Sequence, residues 1–314
     1  MPARRSRSNV LVVSVVGFLA WPALAWAAPA GNKVIVESWV RPPGDGAAFE
    51  AATFPRTKVD LGSFARSEGR RFDSQYGKYL WFEGLPLAAL IARLQPPPSV
   101  DLALLHFANG MVVPLPIKDR HALEQLDPFI ALRMRSSPKA PYGAEFPPLV
   151  KRARDYADVR ATQFSGNKLV VARLWHPALA EKVQADFSPW ALADSLVAVE
   201  FVETAAYYKQ FDVDDSAQTR AGLELFRGSC QFCHGARKVG AKFGWDFVEP
   251  TPLYTYRKGE KRLYYHIHFR RYDAVARGQS MPALKSMTEA DAGNLWQWLK
   301  AIGTKPMPAY APGH

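Results

Sequence analysis

The sequence predicts two domains, a strand-rich α+β domain over residues 28–205 and an all-α domain over residues 217–314, joined by a linker at 206–216. Three observations lead there. Strand candidates separated by turn signals crowd the first part, without the regular strand–helix alternation of a doubly wound sheet. The last hundred residues show helical periodicity with recognisable ends. Charge divides at the same place: residues 28–216 hold equal numbers of acidic and basic side chains, whereas residues 217–314 hold 15 Lys/Arg against 7 Asp/Glu.

In chain order, the first element is an export signal. Arg4, Arg5 and Arg7 form a basic start, Val10 to Leu24 is almost wholly apolar, and Ala25-Trp26-Ala27 is a small-x-small cleavage site. Residues 1–27 therefore read as a signal peptide, with the mature chain starting near Ala28 in a bacterial periplasm. No later stretch has the length of a second membrane span. Export excludes nucleic acid as a partner.

Val34 to Val40 alternates in part and predicts a strand, followed by a turn at Gly44-Asp45-Gly46. Leu85 to Leu94 predicts a short helix stopped by Pro96-Pro97-Pro98. Leu102 to Phe107, then Asn109-Gly110, then Met111 to Leu115 is the strongest hairpin signal in the chain. Lys168 to Leu174 and Leu196 to Val202 add two strands. His106, His121 and His176 lie far apart in sequence, and His106, inside a strand, reads as a satisfied structural residue. Asp212, Asp214 and Asp215 lack the glycine and distal glutamate of a calcium loop and read as solvated linker.

Ala217 to Gly228 predicts a helix with Gly222 and Phe226 one turn apart. Thr288-Glu289-Ala290-Asp291 reads as a capping box. It opens a helix whose apolar face is Ala292, Leu295, Trp296, Leu299 and Ile302, ended by Gly303. Gly222 would let this helix approach closely, with Phe226 against Trp296. Between the two helices lie an aromatic and basic stretch (Tyr254, Tyr256, Tyr264, Tyr265, His266, His268) and the loop Gly278-Gln279-Ser280-Met281-Pro282.

The only two cysteines stand in Cys230-Gln231-Phe232-Cys233-His234. C-x-x-C-H is the attachment pattern of a c-type haem: each thiol can form a thioether to one vinyl group, and the adjacent imidazole then reaches the iron. Two other readings stay open, a disulfide pair and a zinc site completed by His266 and His268. The thioether of Met281 is a soft axial donor on a loop stiffened by Pro282; His266, His268 or Met287 are the alternatives, as is an open site.

With G-x-x-x-F before C-x-x-C-H, a late Met-Pro and a C-terminal helix bearing an aromatic residue, residues 217–314 resemble a class I cytochrome c domain. The resemblance implies one covalent haem c, with Cys230 and Cys233 as thioether attachments, His234 as proximal ligand and Met281 as distal ligand. It also implies a heme-, iron- and metal-binding protein of electron transport. The layout from Gly84-Leu85-Pro86-Leu87 through the Asn109-Gly110 hairpin to the late Leu-Val-Val strand resembles the molybdopterin-binding domain of the sulfite oxidase family. That family binds molybdenum through a cysteine, and residues 28–205 have none, which implies an inactive relative or a reused scaffold.

These readings lead to an exported c-type cytochrome that carries single electrons between a periplasmic dehydrogenase or other oxidoreductase and a downstream acceptor. Its partners are redox proteins with an acidic docking face, met by the net positive charge of residues 217–314, densest at Arg257 to Arg262 and Arg270-Arg271. The alternative is an oxidoreductase whose N-terminal domain transforms a small substrate and passes electrons onward. No catalytic residue is assigned.

Overall fold

Apolar runs that do not alternate build the middle of the molecule. Leu102–Phe107 (β5), Val112–Pro116 (β6) and Leu196–Val202 (β9) have both faces covered, and their sequences, LALLHF, VVPLP and LVAVEFV, are apolar at nearly every position. They belong to a five-stranded sheet ordered β2-β1-β9-β5-β6, with β1 at Ile35–Val40 and β2 at Thr57–Asp60. β1 runs parallel to β9 and the other pairs are antiparallel. The computed structural model describes residues 34–41, 55–73, 78–118, 120–135, 137–139, 173–175, 193, 196–214, 216–257, 259–269, 281 and 283–305. The expected signal peptide, the expected turn at Gly44-Asp45-Gly46, His176, Arg270-Arg271 and the residues beside Met281 lie outside them.

The predicted hairpin forms at its predicted place. Asn109 accepts a hydrogen bond from the Met111 amide at 3.0 Å, and Gly110 adopts φ 89°, the left-handed backbone that favours glycine. A second, antiparallel sheet is ordered β3-β4-β7-β8, from Ser67–Asp73, Lys78–Pro86, Phe129–Arg135 and Arg173–Trp175. Helices Leu87–Leu94 (α1) and Arg120–Leu126 (α2) lie between the strands in sequence. One core cluster joins the two sheets through Val36, Leu85, Leu90, Leu105, Val113, Ile130 and Phe201.

A second cluster lies on the opposite face of the five-stranded sheet. Leu102, Leu104, Val112 and Val202, each offset by one or three positions from the first-core residues of its strand, pack with Tyr207, Tyr208 and Phe211 and with the C-terminal helices. Those helices are Thr204–Lys209 (α3), Ala217–Leu225 (α4), Leu253–Arg257 (α5), Glu260–His268 (α6) and Glu289–Thr304 (α7). Three residues of the expected linker thus lie in a core.

The expected fold class, an all-α class I cytochrome c domain following a separate α+β domain, is corrected by this arrangement. The C-terminal third contains a strand pair of its own, Gly235–Ala236 (β10) with Val239–Gly240 (β11). It also shares its core with the sheet of the first part, so no all-α domain stands apart. The architecture is a strand-rich region with helices mostly toward the C-terminus.

The pairing of α4 with α7 follows the sequence closely. A Cβ on Gly222 would fall 2.6 Å from the Trp298 Cβ, so only glycine allows this approach. The capping box forms as read: the Thr288 side chain accepts from the Asp291 amide while Asp291 accepts from the Thr288 amide. Two details differ. The helix continues through Gly303 to Thr304, and the tryptophan stacked on Phe226 is Trp298, at 4.7 Å between ring centroids, not Trp296. Trp298 lies at the i+3 position from Leu295 and shares its buried face, whereas Trp296 turns about 100° away and meets Tyr254. Among the described residues, no helix is long and apolar enough to cross a membrane.

Candidate functional site

The C-x-x-C-H run begins where an α-helix loosens. α4 passes into a π turn over Phe226–Cys230, a feature concentrated at functional sites, and the Gln231 amide closes it on the Phe226 carbonyl at 2.9 Å. The amides of Cys233 and His234 both donate to the Cys230 carbonyl, at 3.1 and 2.9 Å, which folds Cys230, Cys233 and His234 into one tight turn. The turn is bolted to the sheet: the Val112 amide donates to the Phe232 carbonyl at 3.2 Å, and the Tyr208 hydroxyl donates to the Gln231 side chain at 2.9 Å.

His234 is held on three sides. Its Nδ1 donates to the Trp245 carbonyl at 2.8 Å, which makes Nε2 the acceptor nitrogen of the neutral ring. Its ring stacks on Phe247 at 4.6 Å. Gly244 lies flat against the imidazole, for a Cβ there would stand 2.6 Å from Nδ1. The Gly244 amide donates to the Cys233 carbonyl at 2.6 Å, so the loop 241–246 closes over the turn.

Cys230 is buried in the second cluster, and Cys233 is partly buried against the first. Burial pushes both thiols up to about 12; for Cys230 the neighbouring Cys233 adds to the effect. They are neutral at any physiological pH, and it is the thiolate that attacks disulfides and binds metals.

The expectation of one covalent haem c, with the heme, iron and metal-binding character it carries, is corrected here. Among the described residues no three His, Cys, Asp or Glu side chains gather into a group able to hold a metal ion, and both cysteines are free thiols. The C-x-x-C-H run makes a tight turn with two neutral, packed sulfurs rather than a set of donors converging on one point. The zinc alternative fails for the same reason: His268 Nδ1 donates to the Met287 carbonyl at 3.1 Å and its ring stacks on Tyr264, away from any four-ligand set. Met281 sits partly buried at the margin of the second cluster, and Met287 is buried within it.

Sequence reading placed no function on a second polar group. Glu200, only 2% exposed on β9, accepts from Arg41 Nε at 2.5 Å and meets His106 Nε2 at 2.9 Å. Burial alone would raise the Glu200 carboxyl, but the His106 hydrogen bond and the Arg41 charge outweigh it and hold the carboxyl below its ordinary value. His106 is thus satisfied, as expected of it. Tyr207 lies under the Arg41 guanidinium, and burial raises its hydroxyl well above the ordinary range. A signal was present: a glutamate inside the apolar run LVAVEFV has to be paired if that strand is covered on both faces. His121, by contrast, is exposed and pairs with Gln125.

Comparison with protein-family models gave no match, and neither did a search of curated proteins.

Proposed function

We propose that the chain is an exported electron-transfer protein that takes single electrons from a periplasmic oxidoreductase and delivers them to a downstream acceptor, using the turn 230–234 as the place of exchange. The observation that carries this reading is the rigid seating of that turn, with a π turn before it, an oriented imidazole within it and a closed loop over it. The competing use of a C-x-x-C pair is thiol–disulfide exchange, which needs an accessible sulfur with a lowered pKa. Burial does the opposite to Cys230 and Cys233. Burial thus works against a dithiol couple at this turn and leaves one-electron exchange as the reading we adopt.

A redox titration of protein purified from the export compartment tests this. One-electron exchange gives a slope of about 59 mV per tenfold change in the oxidised-to-reduced ratio, whereas a dithiol/disulfide couple gives about 30 mV. The smaller slope, or no redox response, overturns the carrier.

A second reading is favoured by one observation. Glu200, Arg41 and His106 form a buried ionic group with a partly exposed imidazole, as an enzyme in the N-terminal region would use for proton transfer. If so, His106→Gln abolishes turnover of a small substrate while leaving the redox slope unchanged.

A further inference from the structure

The loop that closes over His234 is stiff where it is anchored and bare where it faces solvent. Asp246 holds it from inside: its carboxylate accepts from the amides of Arg237, Lys238, Val248 and Glu249 at 2.7 to 3.0 Å. The Lys242 amide donates to the Gly110 carbonyl at 2.8 Å, tying the same loop to the β5–β6 hairpin. Outside, Trp245 is 81% exposed and Phe243 is also exposed. A large aromatic ring left in water on a backbone anchored by hydrogen bonds loses little entropy when a partner covers it, which is the character of an interface anchor.

The β10–β11 turn beside it gives an independent sign. Arg237 and Lys238 both adopt positive φ, 58° and 66°, as the central residues of a two-residue hairpin do. Asn-Gly or Gly-Gly would fit such a turn with less strain. The chain places two cations there instead, and such strain is retained mainly where side chains have work to do. The Lys238 and Lys242 side chains are exposed, both just ahead of the aromatic pair in sequence. The one acid within the loop, Asp246, is turned to the backbone amides.

We infer that the 237–245 loop is a docking surface for an acidic redox protein, with Trp245 as the apolar anchor and Lys238 and Lys242 as the charges that select the partner. The charge of the C-terminal third, +8 over residues 217–314, complements such a partner. The inference rests on the carrier reading for the class of partner. Trp245 is also the residue whose carbonyl holds the His234 ring, so the docked partner meets the turn through a single residue.

The test is calorimetric binding of an acidic flavodoxin, at an ionic strength of about 0.01 M and again at physiological strength. Measurable binding at low salt that weakens at the higher strength is expected. Trp245→Ala should weaken binding about tenfold or more. Lys238→Glu with Lys242→Glu should abolish it, while Arg257→Glu with Lys261→Glu, on α5 and α6, should leave it as in the parent protein. Lys238→Gly carries the most information: it relieves the strained turn, so the protein should melt at a higher temperature while binding more weakly. No binding at low salt overturns the proposal, as does binding indifferent to the Trp245 and Lys238/Lys242 changes. Failure of the carrier reading shows separately, in the redox slope, and leaves the binding data to judge the surface.

Discussion

Leu104→Ala tests whether the sheet and the C-terminal helices are one cooperative structure. Leu104 is fully buried on β5, on the face that meets Tyr207, Phe226 and Trp298 through the second cluster. Its truncation removes three methylene-sized groups and leaves a cavity between sheet and helices, at a cost of about 3 kcal/mol. For a protein of this size each kcal/mol moves the melting temperature by about 2–4 °C, so a drop of about 6–12 °C is expected. The reporter should sit on the far side of the cavity. The Trp298 indole N–H serves, because it is buried and donates to the Phe211 carbonyl at 3.0 Å. Its hydrogen exchange, followed by NMR, should accelerate about a hundredfold if it opens only with the whole structure. The helical signal at 222 nm should melt in the same lowered transition as the sheet. Unchanged indole exchange alongside a destabilised sheet would refute the shared core and restore two independent domains.

Three further outcomes follow from side chains already placed. Glu200→Ala leaves Arg41 and His106 facing a buried void, and denaturant unfolding should show a loss of about 3–5 kcal/mol. Because the folded carboxyl is held below its ordinary value of 4.5, its stabilisation is complete above that pH and fades as the pH falls through the folded value. Acid unfolding of Glu200→Gln should therefore lack part of the parent protein's slope below about pH 4.5, and an identical slope would discard the ionised assignment. The two thiols run the other way. Raised from 9.0 to about 12, they favour the fold below pH 9, and that contribution is lost as the pH climbs toward 12. A thiol reagent at pH 8 should react slowly with the folded protein, slowest at Cys230, and quickly with both sulfurs in guanidinium, whereas equal rates in the two states would refute the burial. Gly222→Leu should push α4 from α7 and lower the melting temperature more than Leu104→Ala does, since the nearest obstacle at Gly222 includes backbone of α7.

Local rules read well in this chain where one short segment decides the outcome. The Asn109-Gly110 hairpin, the Thr288 capping box, the limits of β9 and the close approach at Gly222 each depend on a few neighbouring residues, and each formed as read. What escaped the sequence depends on who packs against whom. Choosing Trp296 over Trp298 was a question of which side of one helix faces α4, and the period resolves it once Leu295, Leu299 and Ile302 fix that side. The expectation of a covalent haem in an all-α domain failed at the same level. Five residues specify a turn, but Cys230 packs in a cluster with Leu102 and Val112 while Cys233 lies against the other cluster, and both surroundings are set far away in sequence. The Arg41–Glu200–His106 group was legible only as an oddity, one acid in an apolar strand, with its partners 159 and 94 positions away.

The lack of alternation in β5 explains more of the molecule than any motif does. A strand with one wet face would alternate, and its helices could then detach with little loss. Leu102 and Leu104 point into the C-terminal core while Ala103 and Leu105 point into the first, so one strand closes both. His106, next along the Leu102–Leu104 face, brings the buried Glu200 to that same side. Val112, its partner across the hairpin, donates its amide to the carbonyl of Phe232 between the two cysteines. The hairpin tip then receives the 237–245 loop through Gly110 and Lys242. A disturbance in β5 thus reaches both cores, the ionic group and the His234 turn within one residue or one hydrogen bond of itself, which is why Leu104 is the position at which to strike.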